Sequence, residues 1–263
     1  MFSQAQFEAT IKEIETGTQR LQAQLAEVKP AAQKATNHWW VDPLSAEAIN
    51  YVADKTVEFG IAMFDWFIDV LKGATAPIWM FVDAYNWMEI KGAANAVSTD
   101  LATQNLVIDD SDWSGKARDA YLAAAGAQAS AAARVGSVAG ATSITLAACA
   151  GAGLLFYIAV AAVLAKLIVA MTAAIAAFGS AVFSWVGAAI VLEEAGFTTA
   201  VLAGAAATLA TFLTAQAGAM IALHGDAVDP TSFPNGAWPL ANSSQYNDAT
   251  VKDGDADWSL KRD

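Results

Sequence analysis

The first thirty residues carry a heptad pattern of apolar side chains in an otherwise polar segment. The repeated positions are separated by alternating steps of four and three residues: Phe7, Ile11, Ile14, Thr18, Leu21, Leu25 and Val28. This spacing puts them on one side of an α-helix, so it predicts a helix that packs against a partner helix over about 30 Å. Pro30 follows the pattern and is expected to kink or end the helix.

Three further helices are predicted before residue 135. The second runs from near Ser45, an N-cap candidate, to Gly73. The third opens at Pro77 and continues to about Val107, and the fourth begins near Ser114 and is rich in alanine. No segment shows the sustained period-two alternation of a β-strand, so the predicted fold class is all-α. We expect an elongated helical bundle over residues 1–135.

The middle of the chain has a different composition from its flanks. It contains three long uncharged runs, 135–165, 167–192 and 195–223, separated by Lys166 and by Glu193-Glu194. Each run exceeds the roughly 18–20 apolar residues that span a bilayer. A tight soluble bundle and a set of membrane helices fit equally well. We expect Lys166 at a turn or a membrane interface, and the glutamate pair at a solvated turn between helices.

Small side chains recur at every fourth position in these runs, and such ridges let helix backbones approach closely. On this basis we predict that the middle segment drives self-assembly. The candidate oligomerisation residues are Gly136, Gly140, Ala147, Gly151, Ala207 and Ala215. The predicted domains are a helical bundle (1–135), an apolar Ala/Gly-rich region for oligomerisation or membrane contact (136–224), and an irregular acidic tail (225–263).

Composition narrows the classes of function. Of the 263 residues 56% are hydrophobic and 15% charged, whereas a soluble domain has about 25% charged residues. The net charge of −12 argues against a nucleic-acid partner, which needs a basic surface. One cysteine, Cys149, excludes an intramolecular disulfide. The chain has no GxSxG, HExxH, P-loop or CxxC sequence, so we expect no enzyme, no catalytic residues, no metal and no cofactor.

Two short motifs carry a family resemblance. Trp113-Ser-Gly115 lies between two predicted helices and is followed by Ala117, Ala120 and Tyr121 on the second. Upstream, the segment from Tyr85 to Glu89 fits the pattern YxxxD/E. Over about residues 1–135 the chain resembles the WxG family of type VII (ESX) secretion substrates, and its single-chain arrangement is similar to the Esp group, of the EspB and EspA types.

This resemblance implies a helix-turn-helix in which both motifs meet at the tip of a bundle. It also implies that Tyr85, Glu89, Trp113 and Gly115 form a secretion signal read by the type VII machinery or a chaperone. The first thirty residues lack the basic and apolar regions of a cleavable signal peptide, which agrees with such a route.

The leading hypothesis is a secreted, non-enzymatic, virulence-associated substrate that forms homo-oligomers at the cell surface or envelope of an actinobacterium. The alternative is a membrane-permeabilising effector or toxin whose residues 136–224 enter a target bilayer, with membrane lipid as partner. A third class, an integral membrane protein with a helical cytoplasmic head, needs no export.

Overall fold

The structure is a computed structural model that describes residues 3–39, 41–106, 114–179 and 185–240, with the backbone alone at 179 and 185–199. Its helices are α1 (Gln4–Thr36), α2 (Pro43–Lys72), α3 (Ala76–Asp100), α4 (Lys116–Gly179) and α5 (Trp185–Ala227). Single 3₁₀ turns lie at Thr103–Asn105 and Pro234–Gly236. No strand occurs among the described residues, and the all-α prediction is confirmed.

The heptad pattern of α1 is the buried face of that helix, as predicted. Phe7, Ile14, Leu21 and Val28 are fully buried, because α1 packs against α2 and against the second half of α4. The remaining members of the pattern are buried or partly buried against the same core: Ile11, Thr18 and Leu25.

Pro30 does not end α1. The helix continues to Thr36, and its last turns bury Ala32 and Ala35. Of the two predicted effects of Pro30, an end of the helix is wrong, and a kink stays a prediction. Burial of these two side chains favours continuing the helix beyond the proline, although the ring removes one backbone hydrogen bond.

The start of α2 lies two residues earlier than predicted. Its N-cap is Asp42, and Ser45 is the third helical residue, whose backbone N–H donates to Asp42 Oδ1 at 3.0 Å. An aspartate followed by Pro43 at the first helical position is a stronger start signal than the serine. The predicted end is confirmed, since α2 stops at Lys72 with Gly73 as its C-cap.

Helix α3 is shorter than predicted and ends at Asp100 instead of Val107. The Asn105 side chain donates to the Thr99 carbonyl at 2.7 Å and so satisfies one of the last carbonyls of the helix. Polar side chains that bond to the backbone compete with helix continuation, which explains the early end.

The uncharged runs form two long helices, not three separated ones. Helix α4 has 64 residues and passes through Lys166 without a turn, and α5 has 43 residues and passes through Glu193-Glu194. The turn predicted at Glu193-Glu194 is wrong, and for Lys166 only the alternative of a membrane interface stays a prediction. Lysine and glutamate are good helix formers, so neither residue type interrupts the helical backbone.

The helices form two compact units that interleave along the sequence. The first unit comprises Met1–Phe81 and Ala147–Gln216, and the second comprises Val82–Leu146 and Ala217–Asp263. Helices α3, α4 and α5 each contribute residues to both units. The predicted boundary between residues 135 and 136 falls within α4, and the units do not follow the linear division.

The core of the first unit contains the buried face of α1, parts of α2 and the second half of α4. Tyr157 lies at its centre, with its ring edge-on to Phe7 at 5.2 Å between centroids. The Tyr157 hydroxyl donates to the Val70 carbonyl of α2 at 2.8 Å. One side chain of α4 thereby contacts both N-terminal helices.

Candidate functional site

Helix α5 presents an exposed ridge of small side chains. Between residues 200 and 223 it has no charged side chain. Every fourth position of this stretch is small and exposed, and these positions are called the α5 ridge: Ala203, Ala207, Thr211, Ala215 and Ala219. The candidate oligomerisation residues Ala207 and Ala215 therefore lie on a surface that the described part of the chain leaves uncovered.

The GxxxG sequence of α4 is used within the chain. In the second unit, a Cβ added at Gly136 would lie 2.4 Å from Asn95 Oδ1, and one added at Gly140 would lie 3.0 Å from Lys91 Cδ. Nearby, the Ser143 hydroxyl donates to a backbone carbonyl of α3 at 2.7 Å. Gly136 and Gly140 are buried and bring α4 close to α3, so their predicted availability to a second chain is wrong.

The other two candidate residues of α4, Ala147 and Gly151, are half-buried in the first unit. A Cβ added at Gly151 would meet nothing within 4 Å. Two residues further on, Gly153 is buried, and a Cβ there would lie 2.6 Å from the Pro77 ring. Gly151 therefore has room for a larger side chain, whereas Gly153 does not.

Two helices of the described chain are long and apolar enough to cross a membrane. They are Lys116–Phe178 and Ala200–Ala227. In the most apolar window of the first, 44% of the residues are buried inside the protein, whereas in the window of the second none are. A buried apolar helix is explained by its place in a core, whereas the second helix contributes only its start, at Val201 and Leu202, to a core of the described residues.

The tyrosine-acid motif lies on the outer surface of α3. Tyr85 is 67% exposed and Glu89, one turn further along the same face, is exposed too. Other exposed apolar side chains accompany them on this part of α3: Val82, Met88, Ile90 and Val97.

The second motif lies at the start of α4. Gly115 has φ +100°, a backbone conformation that favours glycine, and a Cβ there would meet nothing within 4 Å. Its backbone carbonyl accepts from the Asp119 N–H at 3.2 Å in the first turn of the helix. Trp113 lies outside the described residues.

The two motifs are far apart in the second unit. The α3 residue next to Tyr85, Ala84, accepts the hydrogen bond from Ser143 of α4. Ser143 lies 27 residues after Lys116, which corresponds to about 40 Å along the helix. The structure therefore does not bring Tyr85 and Glu89 together with Gly115, contrary to the arrangement that the family resemblance implies.

Comparisons with protein-family models, characterised proteins and solved structures find no match to this chain.

An ionic cluster that the sequence pattern did not indicate fastens the end of α5 to α4 in the second unit. Arg134 donates from Nη2 to Asp226 Oδ1 at 2.8 Å and from Nε to the Asp226 carbonyl at 3.2 Å. Asp229 lies 3.8 Å from the same guanidinium, and its hydrogen bonds from Thr231 lower its pKa. The partners are 92 residues apart along the chain, so no local spacing could have revealed them.

Groups suited to catalysis are sparse in the described part of the chain. No three His, Cys, Asp or Glu side chains of that part are grouped so as to hold a metal ion. Burial raises the pKa of the Cys149 thiol, which disfavours the reactive thiolate.

Proposed function

We propose that this protein is a secreted, non-enzymatic substrate of a type VII (ESX) system that assembles into homo-oligomers at the bacterial cell envelope. The α5 ridge is the assembly surface in this proposal. Tyr85, Glu89, Trp113 and Gly115 are the secretion signal, and the secretion machinery or its chaperone is the second partner.

The observation that carries the proposal is the exposure of α5. Large apolar side chains accompany the small ones on its surface, and Ile221 is 74% exposed. Each Leu, Ile or Phe left in water forgoes about 1.5–3 kcal/mol of burial. Small side chains at every fourth position allow an identical helix to approach closely, and closed symmetric assemblies are the usual outcome for soluble chains.

The separation of the two sequence motifs adds a condition to the export part of the proposal. Tyr85 and Glu89 are exposed on α3, about 40 Å along α4 from Gly115. The secretion machinery would therefore bind the two motifs as separate surfaces rather than as one site at the tip of a bundle.

Light scattering of the purified full-length chain tests the assembly. The double substitution Ala207→Leu with Ala215→Leu puts bulky side chains on the ridge and should reduce the particle mass in buffer. The matched control, Ala173→Leu with Ala176→Leu, makes the same change at exposed positions of α4 and should leave the mass unchanged. A monomer in plain buffer for the unsubstituted chain would refute the assembly.

Release into the medium from a host with an active type VII system tests the export. Tyr85→Ala and Trp113→Ala should each retain the protein in the cell pellet. Tyr51→Ala is the control, because Tyr51 is also well exposed but has Lys55 at the position of the acid. Normal release of both motif variants would remove the family assignment.

The membrane-permeabilising alternative is favoured by one specific observation, the wholly unburied window within Ala200–Ala227. This part of α5 has 28 residues and is long enough to cross a hydrocarbon core of about 30 Å. Leakage of dye from liposomes at micromolar protein separates the two functions. Absence of leakage over a range of lipid compositions would exclude the alternative.

A further inference from the structure

A groove of about 540 Å³ runs between α1 and the second half of α4 in the first unit. Its α4 wall is entirely hydrocarbon and consists of Ala161, Leu164, Ala165, Ile168 and Val169. Its α1 wall extends from Ala9 to Arg20, twelve residues whose ends lie about 17 Å apart along the helix. The volume is in the range of small-molecule sites, about 300–1,000 Å³.

The α1 wall carries two cations, Lys12 and Arg20, and one carboxylate, Glu13. Among the described residues, neither Lys12 nor Arg20 forms an ion pair with an acidic side chain. Arg20 has no Asp or Glu three or four residues away on α1, and residues 135–192 contain none on the facing helix. Glu13 also lines the groove, two helical turns from Arg20 and beside Lys12. The Arg20 end of the groove is therefore its positive end.

A buried hydrogen-bond acceptor lies next to that end. Gln24, one turn beyond Arg20, donates from Nε2 to the Ile168 carbonyl at 3.2 Å and to Thr172 Oγ1 at 2.7 Å. Its other atom, Oε1, is buried and has no donor among the described residues. A buried acceptor without a partner is costly, so a head group that carries an O–H beside its anion is favoured at this end over a bare carboxylate.

We propose that this groove binds a single-chain amphiphile with an anionic, oxygen-bearing head group. The guanidinium of Arg20 pairs with the anion, and the hydrocarbon chain lies along Ala161, Ala165 and Val169. The groove length of about 17 Å matches one acyl chain, since a bilayer core of about 30 Å contains two chains end to end. This site is separate from the α5 ridge and does not depend on the proposed export or assembly.

Charge complementarity favours this occupant over a helix of a second copy. The exposed face of α5 between residues 200 and 223 has no charged side chain. Such a helix in the groove would cover Arg20 with hydrocarbon and leave a desolvated cation without a partner, which is strongly unfavourable. An anionic head group removes that cost, and arginine is well suited to bind carboxylate or phosphate through two parallel hydrogen bonds.

Photolabelling of the full-length chain tests the site. The probe is a diazirine analogue of oleate at a concentration below micelle formation, followed by peptide mapping of the labelled residues. We expect labels within 9–24 and 161–172, and protection by unlabelled oleate or 1-oleoyl lysophosphatidate. Lysophosphatidate, whose glycerol hydroxyl can donate, should be the stronger competitor of the two. Labels confined to 200–227, or equal protection by uncharged oleyl alcohol, would overturn the proposal.

Two pairs of variants make the assignment specific. Arg20→Gln should weaken protection by the anionic lipids about tenfold, as expected for a lost charge-assisted hydrogen bond, while Lys34→Gln removes an equal charge elsewhere on α1 without effect. Ala165→Phe should fill the groove and abolish labelling, while Ala176→Phe, at an exposed position of the same helix, should not. Circular dichroism verifies folding of each variant. Unchanged protection by the anionic lipids in folded Arg20→Gln would contradict the proposal. A loss of groove labelling as the protein self-associates would also contradict it, because a second copy of the chain would then occupy the groove.

Discussion

Two glycines of α4, two residues apart in the first unit, should respond in opposite directions to the same substitution. A Cβ at Gly151 meets nothing within 4 Å, whereas a Cβ at Gly153 would lie 2.6 Å from Cγ and 3.0 Å from Cβ of Pro77. Pro77 is buried at the start of α3, and its ring has no rotamer that moves it aside. The Gly153→Ala variant must therefore displace α3 or strain the contact.

The magnitudes follow from two terms. Replacing glycine by alanine inside a helix stabilises it by about 0.8–1 kcal/mol, and this term is common to both variants. Overpacking a closed site costs about 1–3 kcal/mol and applies to Gly153→Ala alone. We expect Gly151→Ala to be more stable than the unsubstituted chain by nearly 1 kcal/mol, and Gly153→Ala to be about 1–3 kcal/mol less stable than Gly151→Ala.

Urea denaturation followed by tryptophan fluorescence measures the difference, with Trp66 packed against the core of this unit. All variants are compared at one protein concentration, because self-association adds a concentration-dependent contribution to stability. The difference between the two variants is more reliable than either value alone, since helix propensity cancels. Equal stabilisation of both variants would refute the close approach of α4 to Pro77.

The remaining predictions concern the core and the helix ends. Leu21→Ala should destabilise the protein by about 3 kcal/mol, as for a fully buried leucine, whereas Leu44→Ala at an exposed position should change stability by less than about 0.5 kcal/mol in the same urea assay. Burial raises the pKa of Tyr157, so its stabilising contribution should be complete below pH 10 and be lost as the pH rises through its pKa in the folded protein. Tyr157→Phe should remove this loss of stability at alkaline pH and, because it deletes the hydrogen bond to the Val70 carbonyl, should cost about 1 kcal/mol at neutral pH. Hydrogen bonds from Ser45 lower the pKa of Asp42, so its contribution should be present above pH 4 and disappear on further acidification, and thermal melts of Asp42→Asn should lack this acid-dependent component.

The sequence predicted α1 and its buried face because the apolar side chains of this segment recur at heptad spacing among polar ones. Phe7, Ile14, Leu21 and Val28 stand among charged and amide side chains, so the pattern itself marks which face is buried. The all-α class followed from the same regularity together with the absence of strand alternation. Boundaries were less accurate where a cap outside the pattern decided them, as Asp42 does for α2.

The partners of the Ala/Gly-rich helices could not be predicted in the same way. Ala139 of α4 is buried and Ala203 of α5 is exposed, yet each belongs to a four-residue repeat of small side chains on its own helix. A helix that is apolar on every face carries no mark of its buried side. Whether a small-residue ridge contacts α3 or remains uncovered is therefore decided by tertiary structure.

The groove of the first unit was missed for a related reason. Its two walls come from residues 9–20 and 161–169, and nothing local in either segment indicates that they meet. Arg20 has no acidic residue three or four positions away on α1, which leaves it available to the anion that we propose.

The order in which the core of the first unit can close during synthesis follows from the parallel packing of α1 on α4. Phe7 contacts Tyr157, and Gln24 bonds to Thr172, so partners on the two helices are about 150 residues apart. At about 5–20 residues per second, the ribosome needs roughly 8–30 s to make the intervening chain. During that time the buried face of α1 has only α2 to pack against. A protein that binds nascent or unassembled chains can therefore contact the apolar face of α1, until α4 is complete and covers it.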